Sequence, residues 1–245
     1  MNDKLQQIDT LLGELNQYRA NENYRITEAL EIEYTYDSNR IEGNTLTLHE
    51  TDMVVNKGIT IAGKGLREHL EAINHKEAID FIKDIAQKKE PISERVLLDI
   101  HAIVLHSIDK DNAGKYRRVP VIISGSKHIP PQPYLLQPKM DELFQWYKAN
   151  KDSMHPVILS AQMHEKLVSI HPFIDGNGRT ARLLMNLILM QHGYPIANIK
   201  GDNETRRRYY ETLEEASSGD NSAFVEFIED VVIQSLTYYL KIIRG

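Results

Sequence analysis

The sequence predicts a mostly α-helical protein carrying one small β-hairpin. Apolar residues recur at helical spacing through most of the chain, as in Leu70, Ile73, Ile82 and Ile85, or Leu97, Ile100, Val104 and Ile108. One stretch, RVPVIISGSKHIPPQPY, breaks that period. There Val119, Val121, Ile122 and Ile123 are β-branched or strand-favouring, Ser124-Gly125-Ser126 can turn, and Pro130-Pro131 stops a helix from resuming. No Gly/Ser-rich or Pro-rich tract divides the chain and no repeat recurs, so one body with a terminal extension is expected.

The periodicity places helices near 3 to 18, 24 to 40, 66 to 88, 93 to 108, 135 to 150, 155 to 168, 177 to 192, 203 to 217 and 221 to 242. Ser93 with Glu94 suits the start of one. Gly193 before Tyr194-Pro195 suits the end of another, because glycine tolerates left-handed geometry and proline cannot extend a helix. Residues 119 to 131 form the expected hairpin, a flap standing out from the helical body.

The charge balance, 29 basic residues against 35 acidic and a net of −6, lacks the broad positive field of a dedicated nucleic-acid binder. Any anion site must therefore be local. With no cysteine there can be no disulfide, thiolate metal site or cysteine nucleophile. No signal core opens the chain and no run approaches the roughly 18 apolar residues of a membrane span, so a soluble, cytoplasmic protein is expected.

The chemistry concentrates in HPFIDGNGRTAR, His171 to Arg182, a loop feeding a strongly helical segment. Gly176 and Gly178 flank Asn177, so the backbone can turn and aim consecutive N–H groups at an anion, assisted by the helix dipole. Phosphate is the natural occupant. Arg179 and Arg182 lie one turn apart and can clamp phosphate oxygens, with Thr180 and Ala181 between them in the same nucleotide-binding stretch. Asp175 would repel a triphosphate unless a hard cation bridged them, and Mg²⁺ meets that demand. His171, set by Pro172, is the nearby group able to accept a hydroxyl proton at neutral pH. Each feature taken singly also has a structural explanation: a histidine beside a proline, a glycine turn entering a helix, an ion-paired arginine face. Their combination within twelve residues matches the needs of phosphoryl-group chemistry.

This loop resembles the Fic family signature HPFx(D/E)GNGRxxR at all nine specified positions, and the resemblance extends over roughly residues 66 to 240. It implies an N-terminal helical region, 1–65, before a Fic core domain, 66–245, and a protein adenylyltransferase that moves AMP from ATP to a Ser, Thr or Tyr hydroxyl. It further implies His171 as the base, Asp175 as the Mg²⁺ ligand, Gly176 to Gly178 around the α- and β-phosphates, and Arg179 and Arg182 at the β/γ end. Phosphorylating relatives carry lysine where this chain has Gly178, so the chain resembles the adenylylating group. The hairpin resembles the Fic flap, on which an extended target segment docks by backbone pairing. By that resemblance Gly125, Ser126, Lys127 and His128 face nucleotide or target, Tyr209 lies near adenine or ribose, and Ser217 at the far end of that pocket.

Upstream, Ser38 to Gly43 fits the family's inhibitory pattern (S/T)xxxE(G/N), in which the glutamate, here Glu42, pairs with the second signature arginine, here Arg182. Autoinhibition in cis is expected. Some relatives use this glutamate to remove AMP, so a bifunctional or mainly de-AMPylating enzyme is the first alternative, and a non-catalytic nucleotide-binding module the second. Homodimers and self-AMPylation occur among relatives of this shape. Two other enzyme classes fail: Val168 stands where HExxH after His164-Glu165 needs histidine, and Gly63-Lys64-Gly65 does not make a P-loop.

Overall fold

The computed structural model describes residues 3–21 and 24–244. Among them run ten α-helices: α1 (Asp3–Tyr18), α2 (Tyr24–Ile41), α3 (Leu48–Lys57), α4 (Leu66–Gln87), α5 (Glu94–Val104), α6 (Leu136–Asn150), α7 (Pro156–Ile170), α8 (Asn177–Gln191), α9 (Asn203–Ser217) and α10 (Ser222–Arg244). A helix apolar on all sides belongs inside a protein. Helix α8 lies inside although it also carries Arg179, Arg182 and Asn186, with every residue from Arg179 to Leu189 buried. Its Leu183, Leu184, Leu187 and Ile188 pack with α4, α5, α6 and α7 in the larger core, while Met185 and Leu189 join α1, α9 and α10 in a second. Both cores thus share one rod, and the loop that enters it is held from two sides. Leu184, fully buried, illustrates the energetics: Leu184→Ala should lower the unfolding free energy by about 2–5 kcal/mol, measured by urea denaturation.

Helix α2 lies on α4 and reaches α8 at its C-terminal end. Two anchors fix it. Glu31, nearly fully buried, pairs with Lys76 and Lys83 on α4. Asp37 accepts from the Gly201 N–H at 2.9 Å and the Asn198 side chain at 2.7 Å, tying α2 to the segment before α9.

Three sequence expectations change. Helix α3 was not anticipated, although Thr47 and Glu50 form a capping box readable as T-x-x-E; only Thr51 and Val54 of its ten residues are buried, so its apolar stripe is too short to show as a period. Helix α5 stops at Val104 rather than 108, because the Asn74 side chain on α4 takes the carbonyls of Val104 and His106 and Ser107 turns left-handed at φ 59°. The expected hairpin is absent: among the described residues there is no strand, and 119–131 form a loop closed by a turn from Ser126 N–H to the Ile123 carbonyl at 3.2 Å. The reason is twofold. Pro120, Pro130 and Pro131 have no N–H to give a ladder, and Ile122 and Ile129 are 89% and 80% exposed, so no core face holds a strand in register. No helix among the described residues is long and apolar enough to cross a membrane.

Candidate active site

Helix α7 ends at His171, whose backbone is left-handed at φ 49°, a state costing a non-glycine residue roughly 1–3 kcal/mol. The loop after it is braced from within. Asn177 spends both ends of its side-chain amide on Phe173, accepting from its N–H at 3.0 Å and donating to its carbonyl at 2.9 Å. The Phe173 ring stacks on His101 of α5 at 3.6 Å between centroids. His101 accepts from the Gly114 N–H on Nδ1 at 3.0 Å, so its Nε2 carries the proton and donates to the Asp175 carbonyl, also at 3.0 Å. Burial pushes its pKa down to about 4, which keeps that tautomer neutral.

The two glycines serve different ends. Gly176 takes φ 78° and enters α8. Gly178, expected to share that turning role, has no positive φ; what it supplies is the absence of a Cβ, which would collide with the Glu42 carboxylate and lie 3.1 Å from an Arg182 nitrogen. The opening N–H groups of α8 take no intrahelical carbonyl, as at any helix start, and lie at this wall.

The two arginines are buried and diverge. Arg182 donates from Nε to the Ser38 hydroxyl at 3.0 Å, and from one terminal nitrogen to the Ser38 carbonyl at 2.9 Å and to Glu42 at 2.7 Å. Its other terminal nitrogen reaches the Tyr209 hydroxyl at 3.3 Å, which also meets Nε2 of buried His164 at 3.0 Å. Arg179 lies 3.3 Å from Asp175, and one terminal nitrogen sits in an ion pair 3.6 Å from Glu71, beyond hydrogen-bond distance; its Nε is buried without an acceptor. Such a donor suits an incoming oxyanion. Burial opposes ionisation of Asp175, yet Arg179, the Gly176 N–H and Arg67 together hold its carboxyl below the usual range.

A pocket of about 620 Å³ opens beside this loop. His171 and Gly178 share it with Glu42, with Gly125, Ser126 and His128 of the flap, and with Tyr209, Tyr210, Glu214 and Ser217 of α9. Lys127 stays outside the lining, its N–H donating to Glu214 at 2.9 Å. Thr180 and Ala181 face the interior, fully buried. Tyr209 is buried behind Arg182 more than it is presented to the pocket, whereas its neighbour Tyr210, which sequence reasoning passed over, is 42% exposed. The Gly43 backbone, at φ 98°, closes α2 just after Glu42.

For Mg²⁺, no three His, Asp or Glu side chains converge among the described residues. Asp175 is partly exposed, and its second oxygen is held by Arg67, whose side chain is 59% exposed and also pairs with Glu71 at 3.0 Å. That donor set fits a cation shared between one carboxylate and the phosphates of a ligand.

The profile described as the Fic/DOC family matches residues 91–189. Fic-1 from C. elegans superposes with a TM-score of 0.86 at 32% identity, covering 98% of this chain and 71% of the other. The chain belongs to the Fic/DOC family. A Fic domain containing signaling protein from Bacteroides thetaiotaomicron aligns at TM-score 0.85 and 28% identity over 98% of this chain and 97% of its own. The protein adenylyltransferase Fic of Culex quinquefasciatus is 40% identical over 211 residues, 85% of this chain. This chain spans 41% of the Culex protein's length.

Proposed function

We propose that this Fic protein is a protein adenylyltransferase that moves AMP from ATP to a Ser, Thr or Tyr hydroxyl of a target protein and is held in check by Glu42. The observation that carries the proposal is the single pocket in which His171, the start of α8 and the flap meet. In this scheme residues 1–65 restrain a core of residues 66–245. The flap receives the acceptor segment, His171 takes its hydroxyl proton, and the acceptor oxygen bonds to the α-phosphorus as the bond to the β-phosphate breaks and pyrophosphate leaves. Asp175 would hold Mg²⁺, which neutralises phosphate charge when bound. Arg179, whose buried Nε has no acceptor, receives the departing phosphates. Intact-mass spectrometry after incubation with Mg-ATP tests the proposal: a covalent gain of one AMP on the protein or on an added target supports it, and nucleotide binding without any AMP adduct in the Glu42→Gly protein would leave only a binding module.

A second direction draws support from Glu42 lining the same pocket as His171: the carboxylate could orient a water for removal of AMP. An AMP-modified target that loses AMP with wild type but not with Glu42→Gly would favour it.

The pH dependence follows from the base. Burial pushes the His171 imidazole down, and Arg117 and His128 push the same way, against Glu42 and the Val168 carbonyl. The neutral ring is the proton acceptor, so the rate rises with pH through that lowered value. The acid limb of AMP incorporation should fall below the ordinary histidine midpoint of about 6.5. In Glu42→Gly, where an opposing carboxylate is gone, a pH–rate profile should place it lower still.

A further inference from the structure

We propose that Arg117 is a positioning residue that sets the flap against the expected base, His171, by replacing the missing strand ladder with its own guanidinium. Arg117 is 3% exposed, yet it meets no carboxylate within ion-pair distance among the described residues. Every donor it engages goes to a backbone carbonyl. Its Nε donates to His171 at 2.8 Å, one terminal nitrogen to Val119 at 3.0 Å, and the other to Pro131 at 2.6 Å. Its backbone N–H donates to the Pro172 carbonyl at 2.9 Å. Val119 and Pro131 are the two ends of the flap, and His171 and Pro172 open the Fic loop. One side chain therefore joins both limbs of the flap to each other and to the residue whose imidazole must face the acceptor.

The need for such a device follows from the flap's composition. Prolines at 120, 130 and 131 remove three of the N–H groups that could pair its limbs across a hairpin, and its exposed isoleucines give it no core to rest on. A guanidinium is planar and presents donors in a fixed fork, so the three carbonyls it joins are held at fixed mutual spacing. A lysine at this place keeps the charge but, as one compact ammonium on a flexible stem, cannot span all three. The His171 carbonyl belongs to the left-handed residue that ends α7, so the same contact helps hold its strained backbone.

This inference rests on the proposed adenylyl transfer for its catalytic consequence and on geometry alone for its structural one, and the test separates the two. Arg117→Lys and Arg117→Gln are made in the Glu42→Gly background, after confirming by thermal melting that each folds. Hydrogen–deuterium exchange should rise in 119–131 and 171–174 in both, with 176–189 unchanged. Affinity for a non-hydrolysable ATP analogue should stay within about threefold, since the nest and Arg179 are untouched. The kcat for AMP self-incorporation should drop by about 100-fold in both variants while the KM for ATP holds, the expected size for an acceptor displaced by an ångström. Unchanged flap exchange, loosening spread over the whole chain, or full activity restored by lysine would each overturn the proposal. If the Glu42→Gly parent forms no AMP adduct, the transferase proposal fails, and the exchange result alone decides the clamp.

Discussion

Replacing Glu42 with glycine should raise AMP incorporation about 10- to 100-fold, the free-energy equivalent of the roughly 1.5–3 kcal/mol carried by a hydrogen bond to a charged group. The geometry states why. Glu42 lies 2.7 Å from a terminal nitrogen of Arg182 and would overlap a Cβ at Gly178, so its carboxylate sits against the glycine where a phosphate would approach. It therefore occupies a donor and adds like-charge repulsion. Removing it leaves Arg182 with Ser38 and Tyr209, both still in place, so the arginine remains oriented rather than stranded. The variant should also gain more thermal stabilisation from Mg-ATP than wild type, because a ligand stabilises by an amount that grows with its affinity. Intact-mass spectrometry and thermal melting check both outcomes. Equal AMP incorporation in the two proteins would remove Glu42 from any inhibitory role.

His171→Ala should act in the opposite direction, lowering AMP incorporation in the Glu42→Gly background by about 10²- to 10⁴-fold, the usual worth of a positioned general base. Nucleotide affinity should persist, since the N–H groups of α8, Arg179 and Arg182 do not depend on the imidazole. The backbone at 171 is left-handed, a conformation that alanine adopts with some strain, so the melting temperature serves as a control. His171→Asn tolerates that backbone better and provides a second variant without a base. Isothermal titration with a non-hydrolysable ATP analogue, set beside the mass measurement, separates loss of chemistry from loss of binding. Transfer that survives in both variants would mean another group takes the proton.

Nine of the ten helices among the described residues were legible as apolar periods, but that α8 is the central one, with its arginines buried, was not. Helix α3 escaped because its buried surface amounts to two side chains, although its capping box was visible. The flap departs from its strand pattern for a different reason: β-branched residues signal a strand only when partners and a core face exist, and the prolines of this segment weaken the first while its exposure removes the second. Arg117 carried no signal at all. Nothing in the sequence separates it from its neighbour Arg118, since three backbone carbonyls from distant segments leave no trace in residue identity.

By itself the sequence determined the helical class, the places of nine of the helices and the twelve-residue loop, because these depend on local period, turn chemistry and contiguous residue types. The tertiary structure decided which of those residues face the pocket and which face the packing. It turned the Asn177 side chain, Thr180 and Ala181 inward, set Arg182 among Ser38, Glu42 and Tyr209, and left the buried Arg179 Nε without an acceptor. Those assignments join positions as far apart as 38 and 182. They follow from how α2 packs on α8 and how Tyr209 and Tyr210 of α9 reach both, a matter of long-range burial and hydrogen-bond satisfaction that local pattern does not encode.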